Sequence, residues 1–189
     1  MIMGVLALQG AFREHLKMLR GCGAEGLEIR LPFQLEGIDG LIIPGGESTT
    51  ISKLMLEYDF PERIKSFAAS GKPIFGTCAG LIVLADKIEG QKQKLLNLID
   101  LDIMRNAYGR QVFSREVDLS MPFLGEESFR AVFIRAPVIV KAGRKVEALA
   151  CYKDRVIVAR QKNILVSSFH PELTGDLRMH RYFLEVMGK

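Results

Sequence analysis

The chain has 189 residues, of which 48% are hydrophobic and 25% are charged, and its formal net charge is +4. This length and composition are ordinary for one globular domain with a sizeable core, so we expect residues 1–189 to form a single domain. Basic residues are dispersed among acidic ones rather than gathered in a block, which argues against a nucleic-acid-binding protein.

The first half of the chain alternates between strand and helix patterns. Strands are predicted near residues 2–8, 26–30, 40–44 and 73–76, and helices near 11–21, 49–57, 61–70 and 79–87. Such alternation is typical of a parallel sheet that is covered by helices on both faces. Short alternating runs then indicate antiparallel additions. They lie near 112–119, 129–134, 146–150 and 155–160, and a strand at 164–168 and a helix near 175–187 close the chain. The sequence therefore predicts an α/β fold with a mostly parallel, mixed sheet.

The predicted strand near 40–44 ends in Pro44-Gly45-Gly46. Glycines at such a break can turn a bare backbone N–H inward. A donor at Gly46 would suit the negative charge that develops on a carbonyl oxygen during acyl transfer, as part of an oxyanion hole. The alternative is an ordinary glycine-rich turn in which Ser48 or Thr49 caps the next helix.

The segment Gly76-Thr77-Cys78-Ala79-Gly80 lies between an apolar strand and an apolar helix. A cysteine at such a turn resembles a nucleophile elbow with sulfur in place of oxygen. The start of the following helix offers backbone N–H groups and partial positive charge, which favour a thiolate. Cys78 is therefore a candidate nucleophile, and the N–H of Ala79 a second candidate oxyanion donor. The alternative is a buried structural cysteine in a turn.

The last predicted strand leads into His170-Pro171-Glu172. Proline biases the residue before it toward an extended backbone, and residues two apart in an extended segment point the same way. His170 and Glu172 can therefore share one face. A cysteine hydrolase needs a base and a carboxylate that orients it, and Cys78, His170 and Glu172 fit these three roles. Read alone, His170 could be a loop histidine and Glu172 a solvated acid.

The other cysteines and histidines give no sign of a second site. Three cysteines at wide spacing do not make a disulfide framework, so Cys22 and Cys151 are expected to be structural thiols in a reducing compartment. His15 and His180 lack the spacing of metal ligands, and His15 is interpreted as a surface or helix-packing residue, with a partner contact as the alternative. We expect no metal and no cofactor.

The N-terminus lacks the features of a signal peptide, and no apolar stretch approaches the ~18 residues that span a bilayer. We expect a soluble, cytoplasmic protein.

Six segments carry a resemblance to known proteins. Residues 44–48, 76–80 and 169–174 resemble the triad (class I) glutamine amidotransferases. Residues 8–11, 105–111 and 133–137 resemble one branch of that family, the glutaminase subunit of pyridoxal 5'-phosphate synthase. The resemblance implies a flavodoxin-like, three-layer sandwich with a mostly parallel, mixed sheet flanked by helices.

The resemblance also implies an activity and a partner. Members of this branch hydrolyse L-glutamine to L-glutamate and ammonia through a cysteine thioester, here on Cys78, and pass the ammonia to a synthase subunit for pyridoxal 5'-phosphate (vitamin B6) biosynthesis. Carried over by motif, the glutamine-binding residues are Gly46, Glu47, Ser48, Arg105, Ile134 and Arg135. Gln9, Gly10 and the helix after them are expected to form part of the partner surface.

The charges of a free amino acid agree with this set. Its carboxylate suits arginine or backbone donors, and its ammonium group suits a carboxylate such as Glu47. Without the resemblance, Arg105 and Arg135 would be ordinary surface arginines. Two other functions fit the residues alone: a different Cys-His hydrolase on the same scaffold, and a redox-sensing module whose thiol is oxidised.

Overall fold

A computed structural model describes residues 1–105 and 114–187. The predicted segment 106–111 and the first two residues of the predicted run 112–119 lie outside these ranges. The strands are Ile2–Leu6 (β1), Glu25–Ile29 (β2), Gly40–Ile43 (β3), Ile74–Thr77 (β4), Ala85–Ile88 (β5), Ile99–Met104 (β6), Ser114–Leu119 (β7), Phe129–Ile134 (β8), Val138–Ala142 (β9), Glu147–Tyr152 (β10), Arg155–Gln161 (β11) and Ile164–Ser167 (β12). The α-helices are Phe12–Gly21 (α1), Ser48–Glu57 (α2), Phe60–Ala69 (α3), Ala79–Leu84 (α4) and Arg178–Tyr182 (α5), and a π-helical turn, Phe183–Met187, follows α5.

The central sheet has seven strands in the order β10-β11-β12-β4-β3-β1-β2. The five strands from β12 to β2 are parallel to their neighbours. β11 and β10 are added antiparallel at one edge. The predicted α/β fold with a mostly parallel, mixed sheet is therefore confirmed.

Two hydrophobic clusters cover the two faces of this sheet. Strand residues alternate between them: Leu41 and Ile43 join the cluster that contains residues of α2, α3 and α4, whereas Ile42 joins the cluster that contains residues of α1 and α5. Neighbouring side chains of a strand point to opposite faces, so one apolar run serves both clusters. The result is the expected helix–sheet–helix sandwich.

Strands β5, β6 and β9 were not predicted from the sequence. The helix predicted near 79–87 ends at Leu84, and β5 begins at the next residue. β5 pairs with β6, and β6 with β9, in a separate three-stranded sheet. Strands β7 and β8 form a two-stranded hairpin.

None of the helices in the described ranges has both the length and the apolar character needed to cross a bilayer.

The carboxyl ends of the parallel strands lie along one edge of the sheet. β1, β3, β4 and β12 end there next to one another, and each is followed by one of the predicted motifs. Open α/β sheets place their ligand sites at this edge. The fold thus brings together segments that are up to about 160 residues apart in the sequence.

Candidate active site

Cys78 occupies a sharp turn between β4 and α4. Its backbone has φ 47° and ψ −98°, a conformation that is uncommon for a residue with a side chain. Its N–H donates to the carbonyl oxygen of Ser167 at 2.8 Å. Gly80 allows α4 to lie directly on β3, because a Cβ there would overlap the carbonyl oxygen of Ile43. The predicted strand, turn and helix are therefore present around this cysteine.

The sulfur of Cys78 lies under two neighbouring segments. The residue is only 6% exposed, and Sγ donates to the carbonyl oxygen of Ile134 on β8 at 3.7 Å. On another side lies Gly45, where a Cβ would overlap the ring of His170 and reach 3.4 Å from the Cβ of Cys78. Gly45 can pass this close to both side chains because it has no side chain itself.

His170 and Glu172 form the remainder of the predicted catalytic group. His170 follows β12 and is anchored by its N–H, which donates to the carbonyl oxygen of Val132 at 2.8 Å. Its ring Nδ1 lies 2.7 Å from Oε1 of Glu172. The side chain of Cys78 is close enough to the ring to raise its pKa. All three side chains are buried, so thiol, imidazole and carboxylate form one continuous series.

This series shifts the protonation of its members. Burial alone would lower the pKa of His170, but the interactions with Cys78 and Glu172 outweigh it and raise the pKa to about 10. Burial would raise the pKa of Glu172, yet the neighbouring imidazoles of His15 and His170 hold it below its usual value. At neutral pH the structure therefore contains an imidazolium held by a carboxylate. An imidazolium next to a thiol is the arrangement that makes a cysteine nucleophilic in cysteine hydrolases.

The loop after β3 is fixed by three hydrogen bonds to two other segments. The N–H of Gly45 donates to Oγ1 of Thr77 at 3.0 Å, and its carbonyl oxygen accepts from the N–H of Ala11 at 2.9 Å. The N–H of Glu47 donates to Oε1 of Gln9 at 2.8 Å. In a trans peptide the C=O and N–H point in opposite directions, so the N–H of Gly46 points away from Ala11.

Glu47, rather than Ser48 or Thr49, caps helix α2. Its carboxylate accepts from the N–H groups of Thr49 and Thr50, which corrects the alternative drawn from the sequence. Burial tends to raise its pKa, but the hydrogen bonds from Thr49 and Thr50 together outweigh it and lower the pKa to about 2. Nη2 of Arg105 lies 3.1 Å from Oε1 of Glu47. An anion and a cation are thus held side by side at the loop.

A cavity of about 680 Å³ opens at this edge of the sheet. Nine of the ten predicted site residues line it: Gly46, Glu47, Ser48, Cys78, Ala79, Arg105, Ile134, Arg135 and His170. Glu172 lies behind His170, away from the cavity. Gln9 and Gly10 also line it. The predicted nucleophile, base and polar binding residues therefore surround one space that is large enough for a small polar ligand.

Sequence reasoning missed several residues that shape the site. Gln9 was predicted only as a partner contact, but its side chain holds the loop at Glu47. Thr77 was given no role, yet its hydroxyl oxygen accepts a hydrogen bond from the N–H of Gly45. His15 was interpreted as a surface or helix-packing residue, but it is fully buried and 3.4 Å from Glu172. Its position one turn before Leu19, on the apolar face of α1, was the available signal.

Within the ranges that the structure describes, His, Cys, Asp and Glu side chains form no group of three suited to a metal ion. The chemistry available at this site is that of a buried thiol with an imidazole and a carboxylate. Such a group can attack an electron-poor carbonyl carbon, protonate the leaving group and then activate water.

Comparisons with known proteins agree on one family. The model of the SNO glutamine amidotransferase family matches residues 5–189. Two curated proteins named "Pyridoxal 5'-phosphate synthase subunit PdxT" are similar to this chain. The protein of Pelotomaculum thermopropionicum is 59% identical over 98% of this chain and 94% of its own, and that of Moorella thermoacetica is 56% identical over the whole of both. A crystal structure described as a glutamine amidotransferase has a TM-score of 0.93 and 50% identity, and the match covers 99% of each chain.

Proposed function

This chain belongs to the SNO glutamine amidotransferase family, and we propose that it is the glutaminase subunit of a pyridoxal 5'-phosphate synthase. It hydrolyses L-glutamine to L-glutamate and ammonia. The observation that carries this proposal is the buried series of Cys78, His170 and Glu172 at the wall of the cavity. The names of relatives that match almost the entire chain at 59% and 56% identity support the assignment to this synthase.

The first half of the reaction releases ammonia. Sγ of Cys78, as a thiolate, attacks the side-chain amide carbon of glutamine and forms a C–S bond. The resulting tetrahedral intermediate collapses, the C–N bond breaks, and His170 gives its proton to the leaving nitrogen. The products of this half are ammonia and a glutamyl thioester on Cys78.

The second half releases glutamate. His170, now neutral, takes a proton from water as the water oxygen attacks the thioester carbon. The C–S bond breaks, so sulfur leaves as thiolate and His170 is again an imidazolium. Glu172 holds Nδ1 of His170 throughout, which keeps the proton-transferring nitrogen directed at Cys78.

Negative charge develops on the amide oxygen in both tetrahedral intermediates. Two backbone N–H groups stabilise it, those of Gly46 and Ala79. Both residues line the cavity, and Ala79 is the first residue of α4, where an N–H has no partner within its helix. Losing one such donor typically costs about 3 kcal/mol of transition-state stabilisation.

The opposite part of the cavity binds the amino-acid end of glutamine. Glu47 offers its carboxylate to the ammonium group, and Arg105 offers its guanidinium to the carboxylate. The 3.1 Å contact between Glu47 and Arg105 supports these roles, because a zwitterionic amino acid can replace each partner with its own opposite charge. Ser48, Ile134 and Arg135 complete the binding surface.

Ammonia passes from this site to a synthase subunit, for which Gln9, Gly10 and α1 form part of the docking surface. Gln9 and Gly10 line the cavity, so a partner bound there lies close to the reaction. The whole chain acts as one glutamine amidotransferase domain, since its central sheet takes strands from both ends of the sequence. A cytoplasmic location stays a prediction from the sequence.

A glutamine-hydrolysis assay tests this function. The purified chain, mixed with its cognate synthase subunit, should release glutamate from glutamine, and Cys78→Ala should reduce this release to background. Cys151→Ser is the control, because that cysteine is exposed and far along the sheet from β4. A glutamine-like electrophile should label Cys78. Wild-type activity in Cys78→Ala, or label on Cys22 or Cys151 instead, would contradict the proposal.

A further inference from the structure

A buried histidine outside the proposed catalytic group lies directly behind it. His15, on α1, has no exposed surface. Its Nε2 lies 3.4 Å from Oε2 of Glu172 and 3.1 Å from Oγ1 of Thr77, and its Nδ1 lies 2.9 Å from Nε2 of His180 on α5. The proposed mechanism gives His15 and His180 no role, yet both are placed in line with Glu172.

The buried, unsatisfied oxygen of Glu172 indicates the role of His15. Oε1 of Glu172 receives His170, but Oε2 is buried and has no hydrogen bond of ordinary length. A buried carboxylate oxygen without a donor is costly. Nε2 of His15 lies 3.4 Å from Oε2 without the geometry of a hydrogen bond, so a proton on this nitrogen faces the carboxylate as a close electrostatic contact. This requires the tautomer of His15 that carries its proton on Nε2.

The second histidine favours the same tautomer. If His15 carries its proton on Nε2, its bare Nδ1 accepts from the Nε2–H of His180, and the buried Nδ1 of His180 is left as an acceptor without a donor. The reverse arrangement would bury an unpartnered N–H on His180 and direct a lone pair of His15 at the carboxylate of Glu172. The first arrangement costs less free energy, because it leaves an unpartnered acceptor rather than an unpartnered donor on His180 and places a donor rather than a lone pair at Glu172.

We infer that His15 is a positioning residue of the proposed glutaminase: its one Nε2–H is shared between Glu172, which it orients against His170, and Oγ1 of Thr77, which accepts the Gly45 N–H of the neighbouring loop. The imidazole of His15 then contacts both Glu172, which orients the base, and Thr77, which holds the loop that carries the oxyanion donor. This inference rests on the proposed function, because the role is defined by the reaction at Cys78.

His15 suits this role because it is neutral. Burial lowers its pKa, and the opposing effect of Glu172 does not reverse the shift; the pKa of His180 is also well below its ordinary value because of burial. The titratable groups that face His15 are His180, at 2.9 Å, together with Glu172, His170 and Glu14. A neutral N–H donor orients Glu172 without cancelling the negative charge that His170 needs.

Three variants separate positioning from simple packing. His15→Leu removes the donor, His15→Gln keeps an N–H near the same place, and Met18→Ala weakens the buried face of the same helix without touching the network. In complex with the synthase subunit, His15→Leu should lower kcat by about 10-fold to 100-fold, the range for a lost orienting hydrogen bond behind a reactive group, with KM little changed. The acid limb of its kcat–pH profile should move to higher pH, because Glu172 is then protonated more easily.

His15→Gln should recover most of kcat and the wild-type acid limb, and Met18→Ala should keep that limb even where it loses stability. The 15N signals of the ring nitrogens in the wild-type chain, which has three histidines, should place the proton of His15 on Nε2. A wild-type pH profile in His15→Leu, or a proton on Nδ1, would overturn the inference. The tautomer measurement stands even if His15→Leu does not fold. Activity that survives in Cys78→Ala would instead defeat the proposed function, so the two failures are distinct.

Discussion

The backbone of Cys78 is held in an unfavourable conformation by contacts on both sides. Its N–H binds the carbonyl oxygen of Ser167, and its own carbonyl oxygen accepts from the N–H of Ile82. Positive φ at a residue with a side chain costs of order 1–3 kcal/mol and persists only where surrounding structure imposes it. Here the imposed turn directs Sγ toward His170 and the cavity, so local strain serves the placement of the nucleophile.

At the residue scale, His170 makes the free energy of unfolding fall at alkaline pH. Its pKa is raised from 6.5 to about 10 in the folded chain, so its stabilising contribution is fully present below pH 6.5 and is lost as pH rises through about 10. We expect the stability difference between wild type and His170→Gln to shrink steadily from pH 6.5 to pH 10. Urea denaturation at several pH values measures this, and His180→Gln is the control because burial lowers its pKa instead. Parallel curves for wild type and His170→Gln would contradict the shift.

The sequence predicted the residues whose local context is distinctive. Cys78, His170 and Gly46 each follow an apolar strand at a glycine or proline break, and parallel strands bring such breaks to one edge. His15 could not be found this way, because one histidine on the apolar face of a helix looks like packing. Its neighbours, Glu172 and His180, are more than 150 residues away in the sequence, and only the fold brings them together.

At the element scale, the packing of α4 on β3 depends on a close backbone contact at Gly80. A Cβ there would overlap the carbonyl oxygen of Ile43, and neither backbone can move without disturbing the sheet. We expect Gly80→Ala to destabilise the chain by roughly 3 kcal/mol or more, as severe overpacking does. Gly37→Ala is the control, since a Cβ at Gly37 meets nothing within 4 Å. Thermal denaturation compares the two, and equal stabilities would show that α4 does not need this contact.

The elements that were not predicted have understandable causes. The apolar run from Leu81 to Ala85 continues without a glycine or proline, so the end of α4 at Leu84 and the start of β5 leave no signal. β6 was not predicted, although its pattern could have been read: Ile99, Leu101 and Ile103 are buried and alternate with aspartates. Its pairing with β9 joins segments that are separated by β7 and β8, and periodicity alone does not reveal such a pairing.

At the scale of the whole molecule, the site and α1 lie at the same part of the surface. Gln9 and Gly10 line the cavity, and α1 begins two residues later. The exposed side of α1 carries Arg13, Lys17 and Arg20, which are four and three residues apart and therefore share one face. A basic stripe next to the cavity is suited to an acidic patch on the synthase subunit.

Reversing this charge should weaken complex formation while leaving the fold intact. We expect Arg13→Glu combined with Lys17→Glu to reduce the affinity for the synthase subunit on the order of tenfold, chiefly through slower association, and to reduce its dependence on salt. Arg144→Glu combined with Lys145→Glu makes the same change of charge before β10, at the sheet edge opposite to β2, and serves as the control. Binding kinetics at two salt concentrations compare the variants. Equal loss in both pairs would indicate an effect of net charge alone, and no loss in either would mean that the partner does not dock on this face of α1.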